Sequence, residues 1–285
     1  MVYKSLGVIS TGETIQMQQI NMLSNSKVIL SFGAGVDSSA ILLIHLFTKN
    51  LGIDMVVFAD TGAEHPDTYR NVNYFQELCA NHGLPFFIVK KEGETITEWC
   101  LRLGILPVMA GGSHICSKKF KGDVIAKWSS SQGIDKPVYL IGIEANEGYR
   151  CKRFTPPKDD KAEYQYPLVE MNLDREACQE IIDDYGIEVR KSSCVFCPFM
   201  SPEEIKSAME DPYCAQVIRM VENNFKETSA KKHAAWIEAG KPVDKAGRAL
   251  RGMWKKDSWK EGRRLFVKKI KGNQLTVDQW VQQLN

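Results

Sequence analysis

The sequence predicts an α/β fold, a doubly wound parallel sheet with a small helical C-terminal region. Three observations predict it. Short apolar runs of strand length recur, and amphipathic stretches of helical period follow most of them. A glycine turn joins the first run directly to the first helix, and several later runs end in polar loops. Repeated βα units of this kind form parallel sheets covered on both faces, with ligands at the carboxyl ends of the strands.

Lys27-Val28-Ile29-Leu30 reads as the first buried strand, Gly33-Ala34-Gly35 as a tight turn, and Asp37-Ser38-Ser39 as the opening of a helix through Phe47. A strand, a glycine turn and a helix N-terminus together form an anion site: the glycines let backbone N–H groups approach, and the helix end favours negative charge. An ordinary βα turn with an N-cap is the plainer alternative. No Lys follows Gly35, which excludes a Walker loop, and Ser38 stands where a dinucleotide fingerprint needs its third glycine.

The second strand is 54–59, followed by the loop Asp60 to Pro66 and a helix over about 67–81 with Tyr69, Val72, Phe75, Leu78 and Cys79 at helical spacing. The third strand is 85–89. A helix through Thr95 to Leu103 carries Ile96, Trp99, Cys100 and Leu103 on one face, and another runs over about 120–128. The fourth strand is 137–143. The opening loop, Asp60-Thr61 and Gly142 to Glu147 all follow strands and are expected on one rim. Residues 155–161 are polar and Pro-rich and read as an exposed loop. From about Lys191 short helices are expected, one of them begun by Ser201 as N-cap, Pro202 at the first position and Glu204 as capping-box partner. The expected organisation is an extension over 1–26, a nucleotide-binding domain over 27–190 and a cysteine-containing, basic region over 191–285.

The 285 residues are 44% apolar and 25% charged, the balance of a globular protein. No apolar run approaches the ~20 residues that span a bilayer, and no basic stretch with an apolar core opens the chain, so no membrane partner and a cytoplasmic location are expected. Between Lys245 and Lys271 eleven Lys and Arg face two acids, Asp257 and Glu261, although the whole chain is only +2. Arg248, Arg251, Trp254, Lys255, Lys256, Trp259, Lys260, Arg263 and Arg264 interleave cations with aromatics. This suits either a nucleic-acid partner or an amphipathic helix with solvated charges.

Eight cysteines in such a chain are not expected to form a disulfide framework. Cys79 and Cys100 fall on apolar helix faces and read as core, and so does Cys178. Cys194-Val-Phe-Cys197-Pro198 is a CxxC turn, a spacing that suits a metal, a redox pair or structure alone. Cys116 lies upstream, in His114-Ile-Cys116-Ser-Lys-Lys-Phe-Lys121.

The loop Gly33-Ala34-Gly35-Val36-Asp37-Ser38, preceded by Ser31-Phe32, resembles the SGGxDS loop of the PP-loop ATP pyrophosphatases, and within them the PAPS reductase-like family. Gly33 and Ala34 replace that loop's first Ser and Gly, so one hydroxyl contact is missing. Asp60-Thr61-Gly62 through Glu64 and Pro66 to Thr68-Tyr69, Gly142 through Glu147 to Arg150, and Tyr166-Pro167-Leu168 resemble further motifs of the family in the same order, covering about 27–200.

The resemblance implies a Rossmann-like sheet of the adenine nucleotide alpha hydrolase type. It also implies nucleotide contacts from Ser31, Phe32, Gly33, Gly35, Val36, Asp37, Ser38, Asp60, Thr61, Glu64, Gly142 and Glu147, and catalytic roles for Asp37, Ser38 and Arg150. Arg153 suits either an anion clamp or a solvated surface. The cysteine segments resemble the iron–sulfur members, in which four thiolates hold a [4Fe–4S] cluster; here Ile115 replaces one of the paired cysteines. Cys116, Cys194 and Cys197 are the implied ligands, with Cys214, Cys151, His114 or a small exogenous group as a fourth, and Zn²⁺ is the alternative metal.

The implied function is ATP- and Mg²⁺-dependent activation of a substrate with release of pyrophosphate, for iron–sulfur-dependent sulfur transfer to nucleic acid, with a sulfur-donor or electron-donor protein as partner. A sulfonucleotide reductase is the second reading, although no cysteine follows Cys214 to serve as its C-terminal nucleophile. A nucleotide-binding module with a structural metal is the third.

Overall fold

In the computed structural model, the described residues are 26–107, 114–153, 160–243, 265–266, 269–270 and 273–284. The N-terminal extension, the 155–161 loop up to residue 159 and the basic cluster from Lys245 to Arg264 lie outside them. The same holds for the Arg153 side chain.

Five parallel strands form the sheet: β1 (Val28–Phe32), β2 (Met55–Asp60), β3 (Phe86–Lys90), β4 (Val138–Ile141) and β5 (Glu163–Gln165). Their spatial order is β3-β2-β1-β4-β5, which confirms the doubly wound α/β fold. β1 lies at the centre, with Leu30 opposite Val56 on one side and Leu140 on the other. Its apolar run is continuous because both faces are covered: Leu30 and Ile29 are fully buried in separate apolar clusters on the two sides. β5, three residues long and unforeseen, is the short edge strand after β4.

The chain forms two compact units. The first draws on Met1–Ala59, Asp67–Val89 and Val124–Ser192. In it α1 (Val36–Leu43) continues as a π-helical turn to Thr48 and packs on α7 (Arg175–Asp184), α2 (Pro66–Asn81) buries Thr68, Val72, Phe75 and Cys79, and the shorter helices between are α4 (Asp123–Ser131), α5 (Tyr149–Arg153) and α6 (Pro167–Glu170). Helix α7 was not foreseen. Asp174 caps it, accepting from Ala177 N–H at 3.0 Å, and it buries Cys178 and Ile182.

The second unit draws on Asp60–Pro66, Lys90–Asp123 and Ser193–Asn285. Its core joins Ala63, Ile96, Trp99, Ile105 and Phe120 to Val195, Phe196, Ile218 and Trp280. Helix α3 (Ile96–Leu103) starts with a full Thr95/Glu98 capping box, and α8 (Pro202–Glu210) with the expected Ser201/Glu204 one. The expectation of only short helices beyond Lys191 is corrected by α9, which runs 27 residues from Pro212 to Glu238. Asp211 and Pro212 start it, and Cys214, Val217, Ile218, Val221 and Phe225 form its buried stripe. Cys79, Cys100 and Cys178 are core residues as expected, each at most 1% exposed.

Candidate functional site

Two constellations carry the sequence-predicted site residues, one in each unit. In the first unit, the chain leaves β1 at Phe32 and turns through Gly33-Ala34-Gly35 into α1. In a 3-2-1-4-5 sheet the connection from β1 runs to one side and β4 lies on the other, so this loop stands at the topological switch point, where ligands bind in open α/β sheets.

The turn is held from within. Gly33 N–H donates to Ser38 Oγ at 3.1 Å, and Ser38 Oγ–H donates to the Gly35 carbonyl at 3.2 Å. Ala34, fully buried, sits at φ 56°, a left-handed conformation in the position of the resembled loop's glycine. Asn71 of α2 donates to the Ala34 carbonyl at 3.3 Å and so fixes that peptide. Gly35 is extended, at φ −104°, and its requirement is space: a Cβ would lie 2.7 Å from Ser192 Oγ and 3.0 Å from Ser192 N. Gly142, just past β4, faces the same limit, with Ser38 N at 2.9 Å and Asp37 Cβ at 3.1 Å from the place of its Cβ.

Asp37 sits in the first turn of α1 and makes an ion pair with Arg175, 2.7 Å from Nη1 to Oδ1, while Arg175 Nη2 donates to Oδ2 at 3.3 Å. Burial raises the Asp37 carboxyl above its ordinary value; Arg175 and Arg150 counter this, and Glu147 and Glu144 add to it. The switch point therefore gathers Asp37, Ser38, Gly142, Glu147 and Arg150, whereas Asp60 and Thr61, expected on the same rim, belong to the second unit. Arg150 is half exposed and paired with Glu147. Glu144, 5% exposed, accepts from Asn146 N–H at 2.6 Å. Ser31 is half-buried within β1, whereas the ring of Phe32 is taken up by Phe75 and Phe86, with centroids 5.3 and 5.6 Å away.

In the second unit, Glu64 pairs by an isolated antiparallel bridge with Cys194, and Val195 N–H donates to the Ala63 carbonyl at 2.8 Å. The Glu64 side chain is fully buried. Its Oε1 lies 3.0 Å from Lys121 Nζ and accepts from Thr61 Oγ1 at 2.9 Å. Thr61 Oγ1 is also 3.6 Å from Cys194 Sγ. Burial and Glu64 push the Cys194 thiol well up, against the pull of Lys121 and Thr61. Lys121 interacts electrostatically with both Cys194 and Cys116.

Asp60 is 5% exposed, lies 2.9 Å from Lys90 Nζ, and accepts from Gly62 N–H at 2.7 Å. Cys194 and Cys197 share a turn in which Cys197 N–H donates to the Cys194 carbonyl at 3.0 Å. Cys214 is fully buried on α9, its N–H donating to Asp211 at 2.8 Å. Among the described residues no three Cys, His, Asp or Glu are gathered so as to hold a metal ion. Cys116, Cys194, Cys197 and Cys214 all pack in the one apolar cluster of this unit.

Two residues beside the loop were missed: Arg175, which binds Asp37, and Ser192, which lies against Gly35. Neither belongs to a motif, and each reaches the loop only through the fold.

No family model matches the chain, and no curated protein matches it. Among the described residues no helix is long and apolar enough to cross a membrane. Of solved structures, the chain is similar to a phosphoadenylyl-sulfate (PAPS) reductase from Candida auris in a phosphate complex, at 16% identity over 62% of this chain and 81% of that one, with a TM-score of 0.41. It is also similar to the U34-tRNA thiolase NcsA from Methanococcus maripaludis with its [4Fe-4S] cluster, at 12% identity over 71% of this chain and 72% of that one, also with a TM-score of 0.41.

Proposed function

We propose that the chain is a PP-loop enzyme that binds ATP at the Gly33–Ser39 loop and activates a substrate with release of pyrophosphate. The observation that carries this reading is the loop itself: a glycine turn at the switch point, leading into a helix N-terminus, with Gly142, just past β4, so close that a Cβ there would lie 2.9 Å from Ser38 N. An oxygen nucleophile of the substrate forms a bond to the α-phosphorus, the bond from that phosphorus to the bridging oxygen breaks, and pyrophosphate leaves with the electron pair. N–H groups at the start of α1 stabilise the charge that builds on the phosphates. Arg150, half exposed and paired with Glu147, is placed to turn toward an anionic oxygen. Mg²⁺, brought by the nucleotide, would neutralise the leaving pyrophosphate.

The finer reading, sulfur transfer to a nucleic acid, rests on the family resemblance and on the basic segment from Lys245 to Lys271, and a sulfur-donor protein is its implied partner. The thiols offered to a [4Fe–4S] cluster, or else to Zn²⁺, are Cys116, Cys194, Cys197 and Cys214. They would have to come together to hold either, and the activation step uses none of them. Iron, sulfide and zinc analysis of anaerobically isolated protein tests that cofactor reading.

The central test is pyrophosphate release from ATP and Mg²⁺ in the presence of candidate nucleic-acid acceptors. Release that falls at least about 100-fold in Asp37→Ala supports the reading. Sulfite release from a sulfonucleotide with thioredoxin, without pyrophosphate release from ATP, would replace it by the reductase reading.

A further inference from the structure

The resembled loop begins with a serine, and here that position is Gly33. Ser38 does not make up the lost hydroxyl. Its proton goes to the Gly35 carbonyl at 3.2 Å, and its oxygen accepts from Gly33 N–H at 3.1 Å, so it holds the turn together. A different hydroxyl stands over the loop. Ser192 Oγ lies 3.6 Å from the place of a Cβ on Gly33 and 2.7 Å from that on Gly35. Ser192 is half-buried and forms no hydrogen bond among the described residues. A hydroxyl with no partner in the protein keeps its proton available for an anionic oxygen of a ligand.

We infer that Ser192 supplies to the bound phosphate the hydroxyl that position 33 lacks. The residue comes from the other end of the first unit, where the chain leaves α7, and approaches the loop from above Gly35. This explains why position 35 admits no side chain: a Cβ there would displace Ser192 Oγ and the Ser192 backbone nitrogen together. It also explains why the loop can dispense with its own first hydroxyl. The assignment rests on the nucleotide reading of the loop and adds to it a ligand-binding residue outside every motif in the sequence.

The reciprocal exchange tests it. At Gly33 a Cβ would meet only ordinary contacts, 3.6 Å to Ser192 Oγ and 3.7 Å to Ser38 Oγ, so a serine fits there. ATP with Mg²⁺, and pyrophosphate alone, are titrated calorimetrically into the full-length wild type, Ser192→Ala and the double variant Gly33→Ser/Ser192→Ala. Ser192→Ala is expected to bind about tenfold more weakly, the loss of one hydrogen bond to a charged group. The double variant is expected to recover to within about threefold of wild type. Recovery separates a lost ligand contact from a folding defect at position 192, which a hydroxyl on Gly33 would not repair. Unchanged binding in Ser192→Ala overturns the inference, as does a double variant no tighter than the single one. Failure of the wild type to bind either probe overturns the nucleotide reading itself, and this inference falls with it.

Discussion

Arg175 and Asp37, 138 residues apart, meet through two pairs of atoms, at 2.7 Å and 3.3 Å, at the first turn of α1. The pair fixes the carboxylate beside the loop and determines what its ionisation costs. Burial raises the Asp37 carboxyl from 3.8, and Arg175 is the main counterweight. An acid whose folded value is raised binds its proton more tightly folded than unfolded, so stability falls as pH rises from 3.8 through the raised value. Arg175→Met should push the carboxyl higher still and extend that loss toward neutral pH. The expected cost at neutral pH is about 1–2 kcal/mol, less than for a fully buried pair because Arg175 is half exposed. Urea unfolding across the acid range checks it: a slope in this range no steeper than that of wild type would overturn the assignment.

Gly35 and Gly142 press the loop from two sides, and adding a methyl to either should separate function from fold to different degrees. In Gly142→Ala the Cβ meets backbone, Ser38 N at 2.9 Å, which has no rotamer by which to escape. In Gly35→Ala the nearest atom is the Ser192 hydroxyl, which can rotate, but Ser192 N at 3.0 Å cannot. Each should lose about 1–3 kcal/mol, the range for overpacking. Both should also lose ATP binding, and a Gly142→Ala protein with wild-type melting temperature and affinity would contradict the contact.

The loop and its sheet were legible because their signals are local. A buried strand, a glycine turn and an Asp-Ser helix start lie within 27–39, and Ser201 and Glu204 stand at capping-box spacing. Helix α9 was obscured because its buried stripe, from Cys214 to Phe225, is interleaved with polar residues and Pro212 marks a helix start as readily as a break. Arg175 and Ser192 could not be read at all, since what places them at Asp37 and Gly35 is the packing of α1 on α7 and the path of the chain after it. Glu64 followed a strand as expected. What sequence alone did not give is its burial against Lys121 and Thr61 beside Cys194.

Ala34 offers a ranking. Its φ of 56° costs an L-residue roughly 1–2 kcal/mol. Ala34→Gly relieves this but loosens the unfolded chain and removes a buried methyl, so it should stay within about 1 kcal/mol of wild type. Ala34→Val adds a β-branch in the same conformation and should cost at least about 2 kcal/mol. Chemical denaturation that placed the valine variant level with the glycine variant would show that the left-handed turn is not retained in solution.

The buried pair of Glu64 and Lys121 makes the last prediction, and its sign depends on pH. The Glu64 side chain has no exposure, while Lys121 keeps about a third of its own. Removing the cation in Lys121→Met strands a carboxylate, at a cost of about 3 kcal/mol, the lower end for breaking a buried pair because Lys121 reaches water. Lys121→Met/Glu64→Gln removes both charges and should recover more than half of that loss. The alkaline limb separates charge from packing. Burial pulls Lys121 down, but Glu64, Cys194 and the hydrogen bond to Glu64 outweigh it, and its value stands above 10.5. A base raised by folding contributes its stability below 10.5 and loses it as pH climbs through the raised value. Wild type should therefore weaken over that range, and Lys121→Met should lack this component. If both proteins lose stability in parallel there, the lysine acts through its hydrocarbon stem alone and the ion pair contributes nothing.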